Sequence, residues 1–187
     1  MVDPQNDFCP GGSLPVKDGD QVMEPLNRMM EYAKKNNWVL AASRDWHPKK
    51  TNHFAKYGGK WAVHCVKNTN GAKFHPALKV TKDVMVFSKG MLKDQDAYSA
   101  FQGYSKFGET LADYLKSYGV QELYVGGLAT DYCVKESVIS AIKECFKVYL
   151  LLDACRAVDI EPGDGDRAIE VMKQVGAILT TTKKVMA

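Results

Sequence analysis

The chain has 187 residues, 45% of them apolar and 25% charged, with a formal net charge of +3; the simplest reading is one domain over 1–187, and this composition excludes a disordered or fibrous chain. Its lysines stand singly and in pairs, which argues against a nucleic-acid footprint, and no apolar run approaches the roughly 18 residues of a membrane span. Five cysteines, an odd count outside any short secreted framework, fit a reducing compartment, and nothing resembles a signal peptide, so the expected location is cytoplasmic.

Only Met1 and Val2 precede Asp3, whereas a functional residue at the carboxyl end of a sheet strand ordinarily follows about four or five apolar residues. A short first strand and a strand beginning before Met1 are both open. Val22, Met23, Leu26, Met29, Met30 and Ala33 recur at three and four, the period of a helix with one buried face. WVLAAS (38–43) then reads as a strand, ended by Arg44-Asp45-Trp46-His47-Pro48, which proline bars from a helix. Residues 48–76 lack periodicity and read as a long loop region with room for one short helix; connections of that length usually carry function. DVMVFS (83–88) is a second strand, with Lys89-Gly90 at its carboxyl end. Phe107, Leu111, Tyr114, Leu115 and Tyr118 trace a helix stopped by Gly119, and ELYVGG (122–127) is a third strand. Val134, Val138, Ile139 and Ile142 mark a helix, followed by strand KVYLLLD (147–153), a helix through Ala168, Ile169, Met172 and Val175, and strand AILTT (177–181). Strands alternating with amphipathic helices predict an α/β fold: three layers, α/β/α, around a central, mainly parallel sheet of about six strands.

Chemistry-bearing residues concentrate at the predicted strand ends. Cys133, in GGLATDYCV, lies between a strand and a helix, where a helix amino terminus lowers a thiol pKa and can hold an oxyanion. An inert buried thiol is the competing account. Cys145 and Cys155 read as core filler. In a parallel sheet the carboxyl ends line one edge, so Asp3, Asp45, Lys89 and Cys133 should converge there despite their separation in sequence. A carboxylate can take the thiol proton and return it to an amine leaving group, and an ammonium beside it keeps it ionised. Turn capping for Asp3 and a surface position for Lys89 are the plain alternatives. Asp45, His47, His53 and His64 supply one carboxylate and up to three imidazoles, a donor set that suits zinc, iron or manganese; surface histidines beside Trp and Pro are the alternative. His75 reads as a turn residue. Phe8, Trp46, Trp61 and Tyr98 are candidates for the walls of an aromatic pocket.

With VDPQNDFCPGGSLPV, SRDWHP with NHF, WAVHC, VFSKG with DAYSAF, GGLATDYCV and LLLDACRAV in this order, the chain resembles the nicotinamidase and pyrazinamidase family of isochorismatase-like cysteine hydrolases. The resemblance implies hydrolysis of nicotinamide to nicotinate and ammonia, as a step of NAD salvage. It makes Cys133 the nucleophile, Asp3 the acid/base and Lys89 its charged partner. Asp45, His47 and His64 become ligands of one divalent transition metal, zinc first, with His53 a further ligand in some relatives. A cis peptide is implied at Leu128-Ala129, an oxyanion hole at the backbone N–H groups of Ala129 and Cys133, and a substrate ring held by Phe8, Trp61 and Tyr98. Ala62-Val63 stands where relatives commonly show proline, and the loop Met91 to Asp96 departs from some branches; both border the pocket. Another isochorismatase-like amidohydrolase and a non-catalytic metal-binding protein on the same fold are the rival readings, and a homo-oligomer is left open.

Overall fold

The computed structural model describes residues 1–187. In chain order its elements are α1 (Met23–Lys35), β1 (Leu40–Asp45), β2 (Val84–Lys89), α2 (Leu111–Ser117), β3 (Glu122–Leu128), α3 (Lys135–Lys143), β4 (Lys147–Arg156), α4 (Asp164–Gln174), β5 (Ile178–Thr180) and α5 (Thr182–Val185). Strands β1 and β2 pair in parallel, as do β3 with β4 and β4 with β5. The two ladders are joined by the first residues of the chain. Val2 N donates to Gly126 O and Leu128 N to Val2 O, both at 2.8 Å, while Ser43 N donates to Met1 O (2.9 Å) and Asp3 N to Ser43 O (3.2 Å). The spatial order is therefore β2, β1, Met1–Asp3, β3, β4, β5, a mainly parallel sheet with six strand positions. Gly127 makes this seam close: its φ is +139°, and a Cβ there would collide with the Val2 backbone.

Helices cover both faces and bury most of the apolar stripes read from the sequence; Tyr118 and Val175, just past the ends of α2 and α4, are exposed instead. Val22, Met23, Leu26, Met29 and Met30 fill one core with Leu151 and Ala154. On the opposite face, Leu111, Leu115, Val138 and Met172 pack with Phe87, Val148 and Leu150. No helix is long and apolar enough to cross a membrane.

The differences from expectation have local causes. β1 begins two residues later than the pattern suggested because Trp38 N still donates to Ala33 O (2.9 Å) at the end of α1, while its ring stacks on Tyr124. Helix α2 begins at Leu111, since the Thr110 side chain accepts from Asp113 N (3.1 Å) as an N-cap, and Phe107 lies outside it in solvent. Cys145 is not core filler: it occupies the exposed turn between α3 and β4 with φ of +68°, whereas Cys155 is buried as expected. The loop region after β1 holds one short 3-10 turn, Ala55–Tyr57. Between β1 and β3 lies an apolar cavity of about 430 Å³ lined by Leu26, Met30, Ala41, Leu115 and Val125 among others; it touches none of the chemistry-bearing residues.

Candidate active site and metal centre

The parallel sheet sets the site by ending its strands together. Asp45 and Lys89 are the last residues of β1 and β2 and face each other in register. Asp3 follows Val2, which pairs with Gly127, and Cys133 lies in a π-helical turn, Thr130–Val134, between β3 and α3. All four are buried. The Lys89 ammonium is their common contact. Its Nζ donates to Asp45 Oδ1 and to Ala97 O (2.9 Å), stands 2.9 Å from Asp3 Oδ2 and lies 3.4 Å from Cys133 Sγ. Asp3 Oδ1 accepts from Ser43 Oγ at 2.7 Å, but Oδ2 has ion-pair proximity to Lys89 without hydrogen-bond alignment and stays open as an acceptor. One oxygen of each carboxylate and the Cys133 sulfur all lie within 4.8 Å of one another.

The electrostatics differ from the sequence expectation in two ways. Burial pushes the Cys133 thiol well above its ordinary value, with Lys89 opposing and Asp3 and Asp45 adding to the rise, so the resting thiol is protonated. The carboxyl of Asp3 is also pushed up by burial, against the pull of Lys89. The helix terminus does not win over desolvation at the sulfur, and the lysine does not win over it at Asp3. Asp45 goes the other way: despite burial, Lys89 and the imidazoles of His47 and His64 hold it well below the usual carboxylate range.

His47, His53 and His64 cluster beside Asp45, each with a ring nitrogen within 4.8 Å of the others. A metal fits these residues on one observation. The Nδ1 of every ring faces an oxygen: Gly90 O for His47 (2.9 Å), Ala62 O for His64 (2.7 Å) and Asp96 Oδ1 for His53. Donation from Nδ1 leaves the Nε2 lone pairs free, and His47 Nε2 is buried with no partner, a costly state that a cation would relieve. Burial lowers the His53 pKa and brings His64 to about 4, so both rings are neutral at neutral pH, as metal ligands must be. Asp45 Oδ2 lies 3.7 Å from His47 Nε2 and 3.8 Å from His64 Nε2. This donor set suits a divalent transition metal.

A cavity of about 30 Å³ opens onto both centres, lined by Phe8, Trp61, Tyr98, Tyr132, Ala129 and Val158 among others. Trp61 Nε1 donates to Tyr98 OH (2.8 Å), and the Trp61 and Tyr132 rings meet edge to face at 4.8 Å. Of the four aromatic residues read as walls, Phe8, Trp61 and Tyr98 are there; Trp46 instead stacks under the Arg44 guanidinium, 3.7 Å from its ring, outside the pocket. His75 accepts from Ala77 N (3.3 Å) in a turn. The Leu128-Ala129 peptide is cis.

Several supporting residues went unread in the sequence. Gln5 accepts from Asp45 N (2.7 Å) and donates to Asp45 O (2.8 Å) and Ala72 O (2.9 Å), clamping the end of β1. Asp7 accepts from Cys65 N (2.7 Å) and Ser13 N (3.1 Å), anchoring the segment that carries His64. Asp131 accepts from Val158 N and Asp159 N, both at 2.9 Å, and ties the nucleophile turn to the loop after β4. Their signal was present, since all three are polar residues inside the motifs VDPQNDF and TDYC.

The isochorismatase domain family matches residues 1–184. The chain is 39% identical to the nicotinamidase of Escherichia coli K12, over 97% of this chain and 92% of that one. It is 35% identical to the nicotinamidase/pyrazinamidase of Mycobacterium tuberculosis, over 86% and 87%. Among solved structures it superposes on the pyrazinamidase of Pyrococcus horikoshii in complex with zinc with a TM-score of 0.89 at 39% identity, covering 97% and 96% of the two chains. Yeast nicotinamidase bound to the inhibitor nicotinaldehyde gives 0.85 at 30% identity, covering 97% of each. The matched span takes in the buried thiol, carboxylates and ammonium at the sheet edge and the imidazole cluster beside them, and the chain belongs to the nicotinamidase/pyrazinamidase family of the isochorismatase-like hydrolases.

Proposed function

We propose that this protein hydrolyses nicotinamide to nicotinate and ammonia, accepts pyrazinamide as a second substrate, and does so with zinc at Asp45, His47, His64 and His53. The observation that carries the reading is the shared cavity: Cys133, which lies against Asp3 and Lys89, and Asp45, His53 and His64, which sit in the cluster with His47, all line one small aromatic-walled space. Similarity to enzymes of this activity from bacteria and yeast supports it.

In this reading Asp3 accepts the Cys133 proton at the open Oδ2, and the thiolate attacks the carboxamide carbon. The raised pKa of Asp3 makes it the stronger base for a thiol that is itself raised. Backbone N–H groups of Ala129 and Cys133 hold the oxyanion. Collapse of the tetrahedral adduct breaks the C–N bond, Asp3 returns its proton to the nitrogen, and ammonia leaves a thioester on Cys133. Water, deprotonated by Asp3, then attacks the thioester; nicotinate departs and the thiol is restored. Lys89 keeps Asp3 anionic enough to act and screens the carboxylate charge from the attacking thiolate. Phe8, Trp61 and Tyr98 hold the ring and exclude bulk water. A divalent cation on the histidines and Asp45 would supply a Lewis acid for the ring nitrogen.

The test is release of ammonia and nicotinate, in equal amounts, from nicotinamide by zinc-replete protein. Failure to release either, with a different small carboxamide or carbamoyl compound hydrolysed instead, would assign the site to another amidohydrolase reaction.

A further inference from the structure

We propose that Asp96 fixes the tautomer of His53 and thereby recruits it as a third imidazole ligand; this rests on reading the site as the metal centre proposed above. The three histidines share one device, an oxygen behind Nδ1 that leaves Nε2 to the cation. For His47 and His64 that oxygen is a main-chain carbonyl, Gly90 O and Ala62 O. For His53 it is the Asp96 carboxylate, which comes from a different loop. A carbonyl orients an imidazole and raises its basicity a little. A carboxylate, carrying a full charge, raises it further and strengthens the bond the ring can make to a metal.

The loop carrying Asp96 is built against the His53 segment. Thr51 Oγ1 and Asn52 N both donate to Lys93 O, at 2.8 and 2.9 Å, and Asn52 Nδ2 donates to Asp94 Oδ1 at 2.7 Å. His53 itself is buried, its ring stacked on His47 with centroids 4.8 Å apart, so it reaches the centre while its partner stays exposed. The residue after Asp96 is Ala97, whose carbonyl accepts from Lys89 (2.9 Å). One loop therefore touches the metal centre through Asp96 and the catalytic ammonium through Ala97.

Apparent zinc affinity of the full chain, measured by competition with a chromogenic chelator, tests this in the wild type, Asp96→Ala, Asp96→Asn, His53→Ala and the His53→Ala/Asp96→Ala double variant. Asp96→Ala should weaken zinc by about 10- to 100-fold. Asp96→Asn keeps an oxygen acceptor and should recover part of that loss, which a merely structural role of the loop would not distinguish. On the His53→Ala background Asp96→Ala should add less than about 2-fold, because its effect runs through that ring. With cobalt in place of zinc, the d–d absorption bands should shift in Asp96→Ala as they do in His53→Ala. Unchanged zinc affinity in Asp96→Ala, an equal loss with and without His53, or a wild type that binds no zinc would overturn the assignment. None of these readouts uses substrate, so a zinc-binding wild type that fails to turn over nicotinamide sinks the proposed activity alone.

Discussion

Replacing Lys89 by methionine isolates the electrostatics of the site, because the stem keeps its length and only the ammonium goes. In the wild type that ammonium is buried against two buried carboxylates, Asp3 and Asp45. Its loss strands both in a low-dielectric pocket, and breaking a buried pair by removing one partner costs about 3–5 kcal/mol. At about 2–4 °C per kcal/mol for a chain of this size, the melting temperature of zinc-free protein should fall by about 6–20 °C. Asp3, already pushed up by burial and opposed chiefly by Lys89, should then be protonated and unable to accept the thiol proton, so kcat falls by at least about 100-fold. Thermal and urea unfolding of the zinc-free variant, with ammonia release from the zinc-replete one, measure the two effects. The double variant Lys89→Met/Asp3→Asn separates them: replacing a carboxyl that must take up a proton to be buried should return at least about 1 kcal/mol of stability and none of the activity. A Lys89→Met protein as stable as wild type, or a double variant less stable than Lys89→Met, would refute the charge argument.

Cys133→Ala should abolish ammonia release while far-ultraviolet circular dichroism is unchanged, and Cys133→Ser should be no better, since a hydroxyl is far less acidic than a thiol; an acyl adduct mapped by mass spectrometry to another cysteine contradicts this. Gly90→Ala should cost about 1–2 kcal/mol for a left-handed alanine and weaken zinc binding, because Gly90 has φ of +62° and a Cβ there would meet the His47 ring; wild-type zinc affinity in chelator competition would remove the basis of that claim. Benzamide, which keeps the carboxamide but lacks the ring nitrogen, should be much poorer than nicotinamide in kcat/KM with zinc-replete enzyme. Equal values for the two amides would leave the cation no orienting part.

The strand-end rule made most of the site legible before any coordinates. Asp45 and Lys89 end apolar runs, Cys133 lies in the turn just after one and Asp3 follows Met1-Val2, and a parallel sheet brings such positions to one edge whatever their spacing in sequence. Residues whose role depends on an unrelated loop were not legible. Nothing local to Asp96 marks it as the partner of His53, 43 positions away. Trp46 illustrates the reverse error: an aromatic beside two candidate ligands belongs to an Arg44 stack, because side chains two apart along an extended segment share a face and Asp45 between them faces the other way. The thiol of Cys133 shows why a helix terminus is an incomplete argument. Its dipole is worth about 0.3–1 kcal/mol, whereas full burial between two carboxylates shifts the same equilibrium further in the opposite direction.

Asp45 explains why two carboxylates can share one ammonium without sharing a role. Burial works against the charge of both. At Asp45 it is outweighed, because Lys89 holds Oδ1 while Oδ2 faces His47 and His64, and Gln5 fixes the backbone on both sides. At Asp3 it is not outweighed, because Ser43 and an imperfectly aligned Lys89 are its partners. Environments that drive a pair of titratable groups apart point to the one whose pKa is raised as the acid/base of the proposed reaction. Asp45 is thus held as a permanent anion, suited to binding a cation, and Asp3 is left as the group that can gain and lose a proton beside Cys133. The division follows from where each strand ends: β1 delivers Asp45 between the lysine and the histidines, while Met1–Asp3, one position closer to β3, delivers Asp3 to the sulfur.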